Sequence, residues 1–214
     1  MKVIQNLVSP SKYKIKCPYT MDPEFIVVHN TANDASARDE IAYMIRNNDQ
    51  ISFHYAIDDK EIVQGILENR NAWHAGDGNG PGNRKGIGIE ICYSKSGGKR
   101  FEEAEKLAAK FIAYKLDEKN WGVDRVKKHQ DFSGKYCPHR TLDLGWQRFL
   151  NMVQTELYKL KEEKEVDKDK PSNWAKEAWD WAKKEGYLDG TRPKDPVTRE
   201  ELAVVLQRLV KKIG

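Results

Sequence analysis

The chain has 214 residues, of which 39% are hydrophobic and 33% are charged, and its formal net charge is +4. This length suits one domain of about 150 residues and a small second one. No apolar run approaches the roughly 20 residues that cross a membrane, so no membrane span is expected. The charges are mixed and do not form the dense basic stripe of a nucleic-acid binder, so no nucleic-acid partner is expected either.

The N-terminal sequence lacks the apolar core and the small-residue cleavage site of a signal peptide. The chain is therefore expected to be made in the cytoplasm and to stay there unless another agent releases it. An odd number of cysteines, three, argues against a disulfide framework. Residues 1–24 contain three prolines and little periodicity, which predicts an irregular segment on the domain surface.

Phe25–His29 is a short, almost wholly apolar run rich in β-branched residues, which predicts a buried central strand. A polar residue at the end of such a strand often has a function in α/β folds. The alternative for this histidine is a hydrogen-bonded place in the core. A helix is predicted over residues 36–48, because Ser36 can cap its N-terminus and Asp39 follows three residues later.

Residues 52–64 alternate like two strands around a short turn, which predicts a β-hairpin. His54 lies on the opposite face from its neighbours, so it either lines a cleft or bonds to the backbone. Residues 76–83 are rich in glycine, which predicts a mobile loop that a ligand can approach closely. Trp73 and His74 at its start suit a substrate groove, and the alternative for Trp73 is an anchor on the core.

Gly86–Tyr93 predicts a further central strand, in which Glu90 shares one face with Cys92. A buried carboxylate is costly unless it is paired or coordinated. Glu90 is therefore the best candidate for a general acid or base in the chain. Cys92 is interpreted as a packed thiol, as is Cys17 in the N-terminal segment.

Two long amphipathic helices are predicted at residues 99–120 and 144–160, with a short strand at 126–129 between them. Together with the preceding elements they predict an α/β domain over residues 1–160, in which helices cover a central sheet.

Residues 161–171 are nearly all charged and predict a solvated linker that is helical at most at its start. Residues 172–214 predict a small α-helical module, in which Thr198 and Glu201 form a capping box. Because such a unit is near the lower limit of independent stability, we expect it to need the first domain or another copy of itself.

The segment 128–140 holds His129, Lys135 and Cys137 within a dozen residues. If the chain folds back here, the imidazole and the thiol can meet at one point, as in zinc sites. His29 would supply a third ligand, and three protein ligands leave one position for water, as in catalytic zinc centres.

Zinc in such a centre activates the water and polarises a carbonyl group. Glu90 would take the proton of the water and pass it to a leaving amine. Lys135 could reach the oxyanion that develops on the carbonyl. The sequence therefore predicts a zinc amide hydrolase. His139 is excluded as a ligand, since a fourth protein ligand would close the position that water needs.

Five segments within residues 25–140 resemble, in family order, the zinc-dependent N-acetylmuramoyl-L-alanine amidases, which are related to peptidoglycan recognition proteins: FIVVHNT, SFHYAID, AWHAG, GIGIE and KH…KYCP. The resemblance implies a central mixed β-sheet flanked by helices. It also implies three zinc ligands and two residues that assist catalysis, namely His29, His129 and Cys137, then Glu90 and Lys135. The residues expected to contact substrate are Thr31, His54, Trp73 and His74.

The same resemblance implies cleavage of the bond between N-acetylmuramic acid and L-alanine in peptidoglycan. The layout resembles Bacillus-type phage endolysins, which implies synthesis in the host cytoplasm and action on the cell wall after release. Three alternatives stay open: a bacterial autolysin with the same chemistry, a peptidoglycan endopeptidase, and a non-catalytic peptidoglycan-binding protein.

Residues 172–214 resemble an S-layer homology module, a binder of cell-wall polymers, in the segments NWAKEA, GYLDG and VTREE. The middle loop is short, Glu200 replaces a customary small residue, and such modules usually occur in threes. The resemblance implies a secondary cell-wall polymer as partner, and the single copy suggests weak self-association. A packing or dimerising helical pair is the alternative.

Overall fold

The computed structural model describes residues 1–213, without the side chains of residues 165–168 and 212–213. The chain divides into two units, Met1–Tyr158 and Lys159–Gly214. None of the helices within the described residues is both long enough and apolar enough to cross a membrane.

A six-stranded sheet lies at the centre of the first unit. Its strands are β1 (Ile4–Gln5), β2 (Phe25–Asn30), β3 (Tyr55–Ile57), β4 (Ile62–Gln64), β5 (Gly86–Ile91) and β6 (Val126–Lys128). Their order is β1-β4-β3-β5-β2-β6, and β3–β4 is the antiparallel pair among otherwise parallel neighbours. The predicted mixed sheet is confirmed.

Helices flank this sheet. They are α1 (Tyr13–Lys16), α2 (Ala37–Arg46), α3 (Pro81–Lys85), α4 (Gly98–Glu118), α5 (Gln130–Ser133), α6 (His139–Asp143) and α7 (Trp146–Lys168). Consecutive residues of β2, from Ile26 to Val28, are fully buried, so both faces of the central strand are covered. The predicted cap of α2 is present, because the Asp39 N–H donates to Ser36 Oγ at 3.2 Å.

The N-terminal segment is more regular than predicted. Strand β1 pairs in parallel with β4, and helix α1 carries the fully buried Lys16. The Lys16 ammonium donates to Asn47 Oδ1 at 2.7 Å and to the Asp49 carbonyl at 2.6 Å, which ties this segment to the loop after α2. A two-residue strand and a one-turn helix are too short to show periodicity, so the sequence pattern could not reveal them.

The second unit contains helices α8 (Lys176–Lys184) and α9 (Arg199–Ile213). The predicted capping box is present: the Glu201 N–H donates to Thr198 Oγ1 at 3.1 Å, and the Thr198 N–H donates to the Glu201 carboxylate at 2.8 Å. Helix α8 begins later than the predicted start at Ser172, because residues 172–175 form a turn. Helix α7 continues to Lys168, so the first part of the predicted linker is helical.

Candidate metal centre and active site

Three parallel strands bring the candidate residues to one edge of the sheet. His29 on β2 pairs in register with Glu90 on the neighbouring β5. On the other side of β2, Val28 pairs with Lys128 of β6, so the next residue, His129, lies beside His29. This is the carboxyl edge of the strands, where α/β folds tend to place functional groups.

The chain after β6 folds back, which brings Cys137 to the same point. Gly134 ends helix α5 with a left-handed φ of 75°, which glycine adopts without strain. The Gln130 N–H then donates to the carbonyl of Cys137 at 3.0 Å and closes the turn. The fold-back expected from the sequence is therefore present.

Three donor atoms meet at this edge. His29 Nδ1 lies 3.0 Å from His129 Nδ1 and 3.9 Å from Cys137 Sγ, and all three atoms lie within 4.8 Å of one another. The three side chains are buried. Two imidazole nitrogens and one thiol form a donor set that suits zinc, so these residues fit the metal that the sequence predicts.

Burial keeps the donor side chains uncharged in the absence of metal. It lowers the pKa of His29 well below its ordinary value, and the neighbouring His74 and His129 lower it further. Burial, and then Lys135, lower the pKa of His129. Burial, and then Glu90, raise the pKa of the Cys137 thiol to about 11. A metal that binds here must therefore displace the thiol proton.

Glu90 lies at the same cavity, and its buried Oε2 atom has no hydrogen-bond partner in the described part of the chain. Burial, and then the charge of Glu40, raise its pKa to about 8, while Lys135 acts in the opposite direction. A carboxyl group that titrates near neutrality can both accept and return a proton, as general acid–base catalysis requires.

The cavity has a volume of about 460 Å³. It brings together all but one of the predicted site residues: His29, Thr31, Trp73, His74, Glu90, His129, Lys135 and Cys137. Thr31 Oγ1 and Trp73 Nε1 are buried and have no hydrogen-bond partner among the residues that the structure describes. A second cavity of about 620 Å³ shares Thr31 and Glu90 with the first, so the two form a continuous groove.

His54 does not line this cavity. It is fully buried, its Nδ1 accepts the Gly88 N–H at 2.9 Å, and its Nε2 lies 2.9 Å from the Arg70 carbonyl oxygen. His54 therefore bonds to the backbone, which was the alternative interpretation of this residue in the sequence. The structure gives no support to its predicted contact with substrate. His74 lines the cavity, but both of its ring nitrogens are engaged, with His29 and with the Gly86 carbonyl.

The sequence did not identify Asp77 and Asn83, which organise the glycine-rich loop. Asn83 Oδ1 accepts the N–H groups of His74 and Ala75, and the Asp77 carboxylate accepts those of Gly82 and Asn83. The loop predicted to be mobile therefore has a defined hydrogen-bonded conformation. Asp77 and Asn83 could have been identified from the sequence by the tendency of Asp and Asn side chains to bond to nearby backbone in turns.

A family model described as N-acetylmuramoyl-L-alanine amidase matches residues 19–140. The chain belongs to this family. It is 51% identical over 215 residues to the N-acetylmuramoyl-L-alanine amidase CwlA of Bacillus subtilis (strain 168), a match that covers 97% of this chain and 78% of CwlA. It is 60% identical over 157 residues to the amidase XlyB of the same strain, which covers 72% of this chain and 50% of XlyB.

The solved structure of PlyL superposes with a TM-score of 0.70 at 54% identity, covering 72% of this chain and 98% of that one. The predicted fold and the predicted enzyme class, an N-acetylmuramoyl-L-alanine amidase, are thereby confirmed. The chain spans only half of XlyB, whereas the CwlA match extends over nearly the whole chain, including most of the second unit.

Proposed function

We propose that this chain cleaves the amide bond between N-acetylmuramic acid and L-alanine of peptidoglycan with a zinc ion held by His29, His129 and Cys137. The convergence of the three donor atoms within 4.8 Å carries the proposal. A zinc ion bound by these residues would activate water and polarise the carbonyl group of the substrate. The donors match the open three-ligand pattern of catalytic zinc sites.

Glu90 acts as the general base and then as the general acid. Its carboxylate at the cavity accepts a proton from the attacking water and later gives a proton to the nitrogen of the leaving L-alanine. The Lys135 ammonium stabilises the negative charge that develops on the carbonyl oxygen. The products are a lactyl carboxylate on the muramic acid and a free amino group on L-alanine.

Two further side chains of the cavity bind the substrate. Thr31 Oγ1 and Trp73 Nε1 have no partner within the described residues, although a buried polar atom usually has one. A substrate amide or hydroxyl group would supply the missing bonds. The groove that continues along α2 gives room for a substrate longer than the scissile bond.

We also propose that the second unit binds a secondary cell-wall polymer and that the enzyme acts on the wall as an endolysin, after release from the cell that makes it. In addition to the S-layer-homology likeness, a cavity of about 520 Å³ in this unit supports the polymer proposal. Trp179 and Tyr187 line it, and aromatic side chains suit the sugar rings of such a polymer.

Digestion of purified cell walls by the full chain tests the proposed reaction. Zinc content is measured first, and mass spectrometry then identifies the fragments. We expect intact stem peptides that begin with a free L-alanine amino group, loss of activity with a chelator, and recovery with zinc. Cuts within the stem peptide would indicate an endopeptidase, and binding without cleavage would indicate a non-catalytic peptidoglycan binder; either result contradicts the proposal.

A further inference from the structure

His74 bonds to the candidate ligand His29 on the side away from the other donor atoms. His74 Nδ1 lies 2.9 Å from His29 Nε2, while His29 Nδ1 faces His129 Nδ1 at 3.0 Å. His74 Nε2 lies 3.2 Å from the carbonyl oxygen of Gly86. The two rings thus form a chain of hydrogen bonds that ends on the backbone.

The carbonyl group sets the direction of this chain, because its oxygen can only accept. His74 Nε2 must therefore carry a proton, and in an uncharged imidazole the other nitrogen, Nδ1, then accepts. The proton in the bond between the rings belongs to His29 Nε2. The lone pair of His29 is consequently on Nδ1, the atom that faces His129 and Cys137.

The surroundings hold the His74 ring in place. Asn83 Oδ1 accepts the N–H of His74 at 2.7 Å and fixes the backbone that carries the ring. A Cβ atom on Gly88 would lie 2.7 Å from Cγ and Cδ2 of the ring, so strand β5 admits the ring only because residue 88 has no side chain. His74 is 7% exposed, so water has little access to its hydrogen bonds.

We propose that His74 is a positioning residue for the zinc site: it fixes the tautomer and the orientation of His29 so that Nδ1 is available to the metal. The inference rests on the proposed zinc site. It gives His74 a role in metal binding, in contrast to the substrate contact expected from the sequence. Loss of a group that bonds to a ligating histidine typically weakens metal binding by about 10–100-fold.

Two substitutions in the full chain separate the hydrogen bond from the packing of the ring. His74→Phe keeps a ring over Gly88 but has no acceptor for His29. His74→Asn keeps an acceptor near the position of Nδ1. After circular dichroism has shown that each variant is folded, competition with a chromophoric chelator measures zinc affinity. We expect a loss of about 10–100-fold for His74→Phe and an affinity close to that of the wild type for His74→Asn.

His54→Phe is the matched control. His54 is also buried and lies beside His74, with 6.0 Å between ring centroids, but both of its nitrogens bond to the backbone. We expect this variant to lose stability and keep its zinc affinity. Equal affinity losses in the two phenylalanine variants would show a packing effect, and no loss in His74→Phe would mean that the bond to His29 is irrelevant; each result overturns the inference.

Long-range proton–nitrogen NMR of the metal-free wild type tests the tautomer directly. We expect the His29 proton on Nε2, and a proton on Nδ1 would overturn the inference even if the phenylalanine variant does not fold. A wild type that binds no zinc would instead contradict the proposed zinc site. Failure of the inference about His74 can therefore be distinguished from failure of the proposed zinc site.

Discussion

At the scale of single residues, Glu90 and His29 are held against each other by the sheet. They are register partners on the parallel strands β5 and β2, so their backbones cannot move apart without breaking the ladder. The environment of Glu90 then sets its chemistry, because burial and Glu40 raise its pKa to about 8. A side chain in this position can exchange protons near neutral pH.

Glu90→Gln should separate metal binding from proton transfer. The amide keeps the size of the side chain and leaves all three candidate zinc ligands in place, but it cannot accept the proton of the attacking water. We expect normal zinc content and a turnover on soluble muropeptides that falls by about 10²–10⁴-fold. Wild-type turnover in this variant would remove Glu90 from the mechanism.

The same substitution should change the pH dependence of stability in the metal-free protein. The folded-state pKa of Glu90, about 8, lies above the ordinary value of 4.5, so the stability that this group contributes is present below pH 4.5 and is lost as the pH rises towards 8. The amide of Glu90→Gln does not ionise, so this variant does not lose stability in that way as the pH rises. Since one pKa unit corresponds to about 1.4 kcal/mol, we expect the variant to be more stable than the wild type by about 4 kcal/mol at pH 8 and by little at pH 4.5.

Urea unfolding in the presence of a chelator, at several pH values, measures this difference. The titration of the neighbouring histidines contributes to the pH dependence of stability in both proteins, so it largely cancels when the two are compared. A stability difference that does not change with pH would contradict the assigned pKa.

Cys137→Ala should lose zinc and activity but keep the fold, because the thiol lies at the end of a turn and not within the sheet. Cys17→Ala is the matched control, since Cys17 is also a buried free thiol but lies outside the donor cluster. We expect zinc content near zero in the first variant and unchanged in the second. Full activity of Cys137→Ala after removal of metal would refute the site.

The sequence identified the donor residues because their chemistry is unusual for their positions. His29 ends an apolar strand, and the segment 128–140 concentrates soft donors. The sequence could not show which ring nitrogen of a histidine is available to a metal ion, or which histidine bonds to the backbone. His54 and His74 look alike in the sequence, and only the three-dimensional arrangement places His74 against the candidate ligand His29 and His54 against the Gly88 amide.

At the scale of elements, the long helices were predictable from their apolar periodicity. The observed ends of α4 lie within a few residues of the predicted ones, whereas α7 continues to Lys168, past its predicted end at residue 160. The contact between α4 and α7 was not predictable. Glu105 of α4, with a side chain 2% exposed, bonds to Arg148 of α7 at 2.6 Å. Nothing in the periodicity of either helix distinguishes this pair from the many exposed charges along the chain.

Arg148→Leu should therefore destabilise the first unit, because it leaves the buried Glu105 carboxylate without its cation. We expect the free energy of unfolding to fall by about 3 kcal/mol, and the double variant with Glu105→Leu to regain much of it. Lys106→Ala breaks the exposed pair with Glu103 on the same helix and should cost less than about 1 kcal/mol. Chemical denaturation checks all three variants, and equal costs for the two single substitutions would contradict the assignment.

At the scale of the whole molecule, the family match and the cavity with the three donors both lie in the first unit. In the second unit, α9 keeps large apolar side chains exposed, including Leu206 at 54% and Val210 at 68%. A helix with such a surface is typical of a unit that meets a partner. This is consistent with a separate binding role for the second unit.

Deletion of residues 161–214 tests this division of labour. Leu157 is the last buried residue of α7 among those described, so a chain ending at residue 160 keeps the core of the first unit. The PlyL structure, which corresponds to 72% of this chain, also lacks a counterpart of the remainder.

We expect the shortened chain to remain folded by circular dichroism and to keep its turnover on soluble muropeptides within about twofold. We also expect it to sediment less with purified walls and to lyse them more slowly. Unchanged sedimentation would remove the polymer-binding role from the second unit, and lost turnover on soluble substrate would show that the second unit supports the catalytic fold.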